Sequence, residues 1–229
     1  NGKLNADDAL ALAHPDAGPY LVSTTAIAVE NTHNFGGGTV QSIDEIKKLH
    51  DGARELKLAL HLDGARIWNA HVETGVAFSE YGKFFDTVSV CLSKGLGAPV
   101  GSVLVSTKER IAKARIWRKR YGAGMRQIGI LAAAGHYALD NNINLLARDH
   151  DNAKKLAAAC GLTAPDSNIV AIDVSDYPFN ASEYAATLKS NGILAGALGP
   201  NFVRLVTHMD LTDEDIQTAC EILKRTLVA

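Results

Sequence analysis

The residues of this 229-residue chain best suited to chemistry stand at the ends of short apolar runs. Val88-Ser89-Val90-Cys91-Leu92 reads as a buried strand, and Ser93-Lys94 follows it at once, ahead of Gly95-Leu96-Gly97-Ala98-Pro99-Val100-Gly101. An ammonium at the mouth of such a strand serves solubility poorly. Burial lowers a lysine pKa and frees the amine as a nucleophile, and the use that fits best is a Schiff base with pyridoxal phosphate (PLP). The plainer alternative is a solvated loop lysine. Upstream, Leu58-Ala59-Leu60-His61-Leu62 ends in Asp63-Gly64-Ala65-Arg66. PLP needs a carboxylate at its pyridine nitrogen, which keeps the ring protonated and able to accept electrons. Asp63, one strand away from Lys94, supplies that group or else belongs to an ordinary Asp-Gly turn. Arg66 is either a surface helix residue or a guanidinium aimed at a carboxylate. Arg204 interrupts Phe202-Val203-Arg204-Leu205-Val206, where a charge is costly unless paired. A substrate α-carboxylate is a natural bidentate partner, with an internal salt bridge as the alternative.

The elements around these residues alternate. Residues 6–13 read as a short helix, 24–29 as a buried parallel strand and 30–38 as a loop at its carboxyl end. Residues 43–55 carry Ile43, Ile46, Leu49 and Ala53 at helical spacing behind Ser42, a plausible N-cap. Strands follow at 58–62, 85–92 and 101–106, so the pattern is that of an α/β layered sheet. In such sheets ligands sit beyond the carboxyl ends of the strands. Asn31-Thr32-His33, Asp63, Arg66 and Lys94 all fall at such ends. Thr107 is expected to cap a basic helix reaching Tyr121, closed by Gly122. The Ala-rich stretch 128–146 is apolar on several faces and should be buried. Helix 152–160, strand 168–174, helix 182–190, two strands and helix 212–227 then make a small α+β domain.

Bulk properties exclude several classes. Net charge is −2 and 47% of residues are hydrophobic, so no electrostatic case exists for nucleic acid or a membrane surface. The basic run Lys113, Arg115, Arg118, Lys119, Arg120 reads as a solvated or subunit-facing helix face. No apolar run has membrane-spanning length. Cys91, Cys160 and Cys220 lie far apart with no paired spacing, which suits reduced thiols in the cytoplasm and argues against a disulfide scaffold or a metal site.

Segments 58–66 and 88–101 together resemble the low-specificity threonine aldolases, in the β-eliminating lyase group of fold-type I PLP enzymes. Glu30-Asn31-Thr32-His33-Asn34, the segment from Arg118 to Gln127 and Val203-Arg204-Leu205-Val206-Thr207-His208 carry the same likeness. The resemblance covers nearly all of the chain from about residue 20 onward. It implies an α/β, PLP-dependent transferase-like fold: a partial large domain with a mainly parallel sheet over 1–147, and a small α+β domain over 148–229. It also implies roles. Lys94 would carry the cofactor as a Schiff base, Asp63 would hold the pyridine nitrogen, and Arg66 would lie near the phenolic oxygen and the substrate carboxylate. Arg204 would bind that carboxylate. Lys119 and Arg126 would reach a neighbouring subunit's cofactor phosphate, and Ser93 either touches phosphate or makes a strand-end turn. His33 is a candidate general base or a loop histidine that shapes the site. The family's triple glycine is here Gly122-Ala123-Gly124.

The implied reaction is reversible retro-aldol cleavage of L-threonine or L-allo-threonine, or a like β-hydroxy-α-amino acid, to glycine and an aldehyde. It would serve glycine biosynthesis in the cytoplasm. The family's upstream third is expected to lie outside this chain, with the turn that cups the cofactor phosphate and the histidine that stacks on the pyridine. The active form should then be a homo-oligomer, a dimer or a dimer of dimers (homotetramer), containing that amino-terminal portion in the same or a separate chain. Two alternatives stand beside this reading: another fold-type I activity, β-elimination or transamination, and a non-catalytic fragment acting as an assembly subunit.

Overall fold

The computed structural model describes residues 2–227. They divide into two compact units, one formed by Lys3–Thr32 and Gln41–Ile143, the other by Gly2, His33–Val40 and residues 144–227.

The first unit contains α1 (Ala6–Ala11), β1 (Ala26–Glu30), α2 (Ile43–Glu55), β2 (Ala59–Gly64), α3 (Ile67–Thr74), α4 (Phe78–Gly82), β3 (Thr87–Cys91), β4 (Ser102–Val105), α5 (Lys108–Arg120) and α6 (Gly129–Asn141). Its sheet has the order β1-β2-β3-β4, with the first three strands parallel and β4 antiparallel to β3. Helix α2 starts where Ser42 accepts a hydrogen bond from the Asp44 amide at 3.2 Å, and it buries the stripe Ile46, Leu49 and Ala53. Strand β2 alternates: Leu60, Leu62 and Gly64 are buried, while Ala59, His61 and Asp63 are half-buried on the other face.

Two elements of this unit that were expected to be buried are not. Segment 24–29 was expected as a buried strand, yet Ala26 and Ala28 of β1 are exposed. The sheet is closed only on the face that carries Val29, Leu60 and Leu62; no described residue covers the alanines on the other. Helix α6 ends at Asn141, with a 3₁₀ turn at Ile143–Leu145, and it is not buried. Only Gly135 and Ala138, three residues apart on one stripe, are inside, while Ile130 is 85% exposed. An all-round apolar pattern leaves the packed face undecided, and here one narrow stripe packs.

The second unit contains α7 (Leu146–Ala159), β5 (Ile169–Asp173), α8 (Ala181–Ser190), β6 (Gly196–Ala197), β7 (Phe202–Val206) and α9 (Asp213–Thr226). Its antiparallel sheet has the order β5-β7-β6. Val170, Ile172, Val203 and Leu205 pack with Leu156, Tyr184, Leu188, Ile216 and Leu223 into one core. Both α8 and α9 begin with reciprocal capping boxes, Asn180 with Glu183 and Thr212 with Asp215. No helix among the described residues is long and apolar enough to cross a membrane. The three cysteines are free, and burial pushes the Cys160 thiol up to about 11.

Candidate active site

The parallel register of β1, β2 and β3 aligns their carboxyl ends along one sheet edge, where Asp63 pairs with both Glu30 and Ser89. Asp63 is half-buried. Its Oδ1 accepts a hydrogen bond from the Ala65 amide at 3.0 Å, an Asx turn that fixes the carboxylate and leaves its second oxygen available. Gly64 makes this possible by close approach. A Cβ there would stand 3.0 Å from the Ser89 carbonyl oxygen and 3.2 Å from the Ile67 Cβ. The chain therefore turns straight from β2 into α3, with half-buried Arg66 at the N-cap position.

Lys94 stands three residues beyond the end of β3. The Gly97 amide donates to the Lys94 carbonyl at 2.8 Å, and the Ala98 amide to the Leu92 carbonyl at 3.1 Å. Leu96 is fully buried, and its carbonyl accepts from Asn142 Nδ2 at 2.8 Å. Trp68 Nε1 donates to the Cys91 carbonyl at 2.8 Å. The backbone that carries Ser93 and Lys94 is thus held from several sides. Both side chains are exposed, so the burial expected for Lys94 is absent here: the turn sinks Leu96 and carries the lysine outward. The Lys94 ammonium has no ion pair or hydrogen bond among the described residues.

Helix α5 is capped by Thr107, whose hydroxyl accepts from the Arg110 amide at 3.4 Å, and its last turn is basic, complementing the helix dipole. It buries no residue, and Ile116, Trp117 and Tyr121 are exposed. Lys119 folds over Gly124, where a Cβ would come within 2.7 Å of its Cδ. Lys119, Ala123 and Arg126 are exposed.

His33 and Arg204 belong to the other unit and are not grouped with Asp63 and Lys94 in one compact body. The half-buried His33 is held by backbone bonds, its amide to the Thr39 carbonyl at 2.9 Å and its carbonyl from the Gly38 amide at 2.8 Å. Arg204 is half-buried on β7 and its Nη1 donates to Asn34 Oδ1 at 2.5 Å. No carboxylate among the described residues pairs with it, so the salt-bridge alternative is not met. Asn34 is a polar residue of this region to which sequence reading gives no role of its own; its signal was its place beside His33 in the family-like segment 30–34.

An unpaired amine and a half-satisfied carboxylate at the ends of adjacent parallel strands suit a carbonyl-bearing, anionic pyridine cofactor, and the beta-eliminating lyase family model matches residues 1–173. The chain belongs to that family. Its relatives include the low specificity L-threonine aldolase of Escherichia coli K12, 42% identical over 202 residues, covering 86% of this chain and 59% of that protein. The chain spans 59–63% of the length of such relatives. The solved structure of Leishmania major threonine aldolase superposes with a TM-score of 0.81 at 22% identity, covering 99% of this chain and 68% of that one. A mutant aspartate aminotransferase of Thermus thermophilus gives 0.71 at 19% identity, covering 98% of this chain and 64% of that one. The fold is that of the fold-type I PLP enzymes.

Proposed function

We propose that the full-length protein is a PLP-dependent aldolase that cleaves L-threonine, L-allo-threonine or a related β-hydroxy-α-amino acid to glycine and an aldehyde. The observation that carries this reading is Asp63 and Lys94 at the carboxyl ends of neighbouring parallel strands, in a chain 42% identical to a low specificity L-threonine aldolase. PLP, when bound, supplies the electron sink that lets the Cα–Cβ bond break. Lys94 would hold the cofactor covalently, and Asp63 would keep a proton at the pyridine nitrogen. Arg66 would face the phenolic oxygen, and Ser93 the phosphate. Arg204 would grip the substrate carboxylate, and so would orient the bonds at Cα. His33 would take the β-hydroxyl proton as the aldehyde leaves, and Cα is reprotonated to give glycine.

Residues 1–147 would form the carboxyl-terminal portion of a large cofactor-binding domain, and 148–229 the small domain. Lys119 and Arg126, on an exposed basic and aromatic surface, would serve a neighbouring subunit's cofactor phosphate in a homo-oligomer, a dimer or a dimer of dimers. The half-open sheet face would be covered by the amino-terminal portion of the same protein. A cytoplasmic role in glycine formation fits this chemistry.

The test is product analysis with full-length, PLP-loaded protein. L-threonine should give equimolar glycine and acetaldehyde. A 2-oxo acid with ammonia would instead mark β-elimination, and amino transfer to an added 2-oxo acid would mark a transaminase. Absence of all three from a folded, PLP-binding oligomer would favour an assembly subunit.

A further inference from the structure

Arg204 sits mid-strand in β7, between Val203 and Leu205, which are buried in the core of their unit. Its own side chain therefore leaves the opposite face. The residues paired with it there are Ala171 on β5 and Gly196 on β6. Both are small, so neither neighbouring strand crowds the guanidinium. Nη1 donates to Asn34 Oδ1 at 2.5 Å, and the buried Nε has no hydrogen-bond partner among the described residues. A guanidinium held by a neutral amide is oriented without losing its charge.

The loop that carries Asn34 is anchored at its far end. The segment His33–Val40 is part of the same unit as β5 and β7. Ser167 Oγ donates to the Gly38 carbonyl at 2.7 Å, and the Val40 amide donates to Asp166 Oδ2 at 3.1 Å. Gly37 and Gly38 take φ values of 79° and 76°, which only glycine adopts freely. A Cβ on Gly37 would stand 3.3 Å from the Cβ of Ala171, the residue paired with Arg204. The loop thus lies tight against β5, the strand paired with the one that carries the arginine.

We propose that Asn34 is a positioning residue for Arg204: it pins Nη1, fixes the plane of the guanidinium and leaves the remaining donors for a substrate α-carboxylate. This inference rests on Arg204 being the carboxylate site, as proposed above. The amide is chemically specific for the task. A carboxylate at position 34 would pair with Arg204 and cancel the charge meant for substrate. An apolar residue would free the fork to rotate, and bidentate recognition depends on its orientation.

The experiment uses the full-length, PLP-loaded enzyme and two probes, glycine and glycinamide, which differ only in the carboxylate. Dissociation constants are measured by titration calorimetry beside KM and kcat for L-threonine. Asn34→Ala should weaken glycine binding and raise KM about tenfold, leave glycinamide binding unchanged and change kcat less than KM. Asn34→Asp should weaken glycine at least as much, although it keeps a hydrogen-bond acceptor and the fold. If Asn34→Ala does not fold, Asn34→Asp decides alone: unchanged glycine affinity overturns the proposal. Equal weakening of glycine and glycinamide also overturns it, because that marks general damage. Arg204→Lys separates the two readings. If it weakens glycine while the Asn34 variants do not, positioning by Asn34 fails and the Arg204 reading stands. If Arg204→Lys leaves glycine binding unchanged, the carboxylate site itself is wrong and the proposal falls with it.

Discussion

The two sheets hold their reactive side chains in opposite ways. In the three-stranded sheet Arg204 is half-buried, flanked by core residues, and gripped by Asn34 from a loop locked onto β5. In the four-stranded sheet the backbone is what is pinned: Leu96 is buried and Asn142 and Trp68 hold the turn, while Lys94 is exposed and Asp63 keeps an oxygen free. The first site is shaped from within its own unit. The second presents fixed backbone and unfilled side chains, which is what a strand-edge site for a separate cofactor requires. A residue that holds substrate needs a preset direction. A residue that bonds to a cofactor needs reach, and its environment is completed by what binds there.

The largest effect tests the open site. Asp63→Asn should retain cofactor but lower kcat about a hundredfold or more, because an amide cannot keep the pyridine nitrogen protonated. Near-normal turnover in steady-state assays would reduce Asp63 to a turn residue and remove half of the contrast.

The second concerns the closed unit, whose packing has a cost. Asp149, in the first turn of α7, is 1% exposed, and its Oδ2 is buried without a hydrogen bond. Burial pushes its pKa up to about 6, against the opposing pull of His208 and Arg148. The folded value lies above the unfolded one, so the folded state binds this proton more tightly. The stabilisation is complete below about pH 4 and is lost as pH rises through about 6, a loss of up to about 3 kcal/mol. Asp149→Asn should therefore raise the thermal midpoint at pH 7.5 and change it little at pH 4. A lower midpoint at pH 7.5 would mean that the charged carboxylate is satisfied.

The smallest effect tests the pinned turn. Asn142→Ala removes the 2.8 Å bond to the Leu96 carbonyl and should cost about 1 kcal/mol in chemical denaturation. Hydrogen exchange at Gly97, whose amide closes the turn, should rise in the same variant. Unchanged exchange would show that the turn carrying Lys94 holds without the Asn142 bond.

Legibility in the sequence followed local chemistry. Helices with a side-chain cap could be read at their first residues: α2 behind Ser42, α5 behind Thr107 and α9 behind Thr212. Three helices without one were harder to place, although α6, also uncapped, starts within a residue of its expected position. Helix α7 begins at Leu146, six residues ahead of the expected start, and α3 and α4 went unread; none of the three has a side-chain N-cap bond. Lys94, Asp63 and Arg204 stand out because each interrupts or ends an apolar run. The exposure of Lys94 does not, since it depends on how a Gly-rich turn buries Leu96 instead. Asn34 was illegible for a different reason: its partner is 170 residues away, and an amide in a polar loop looks like any other.

The most direct measurement is borohydride reduction of the full-length holoprotein, followed by proteolysis and peptide mapping. The reduced pyridoxyl group should be found on Lys94, in the peptide containing Ser93-Lys94-Gly95-Leu96-Gly97. Label on Lys119 or any other lysine, with Lys94 unmodified, would contradict the assignment and with it the reading of the four-stranded sheet edge as the cofactor site.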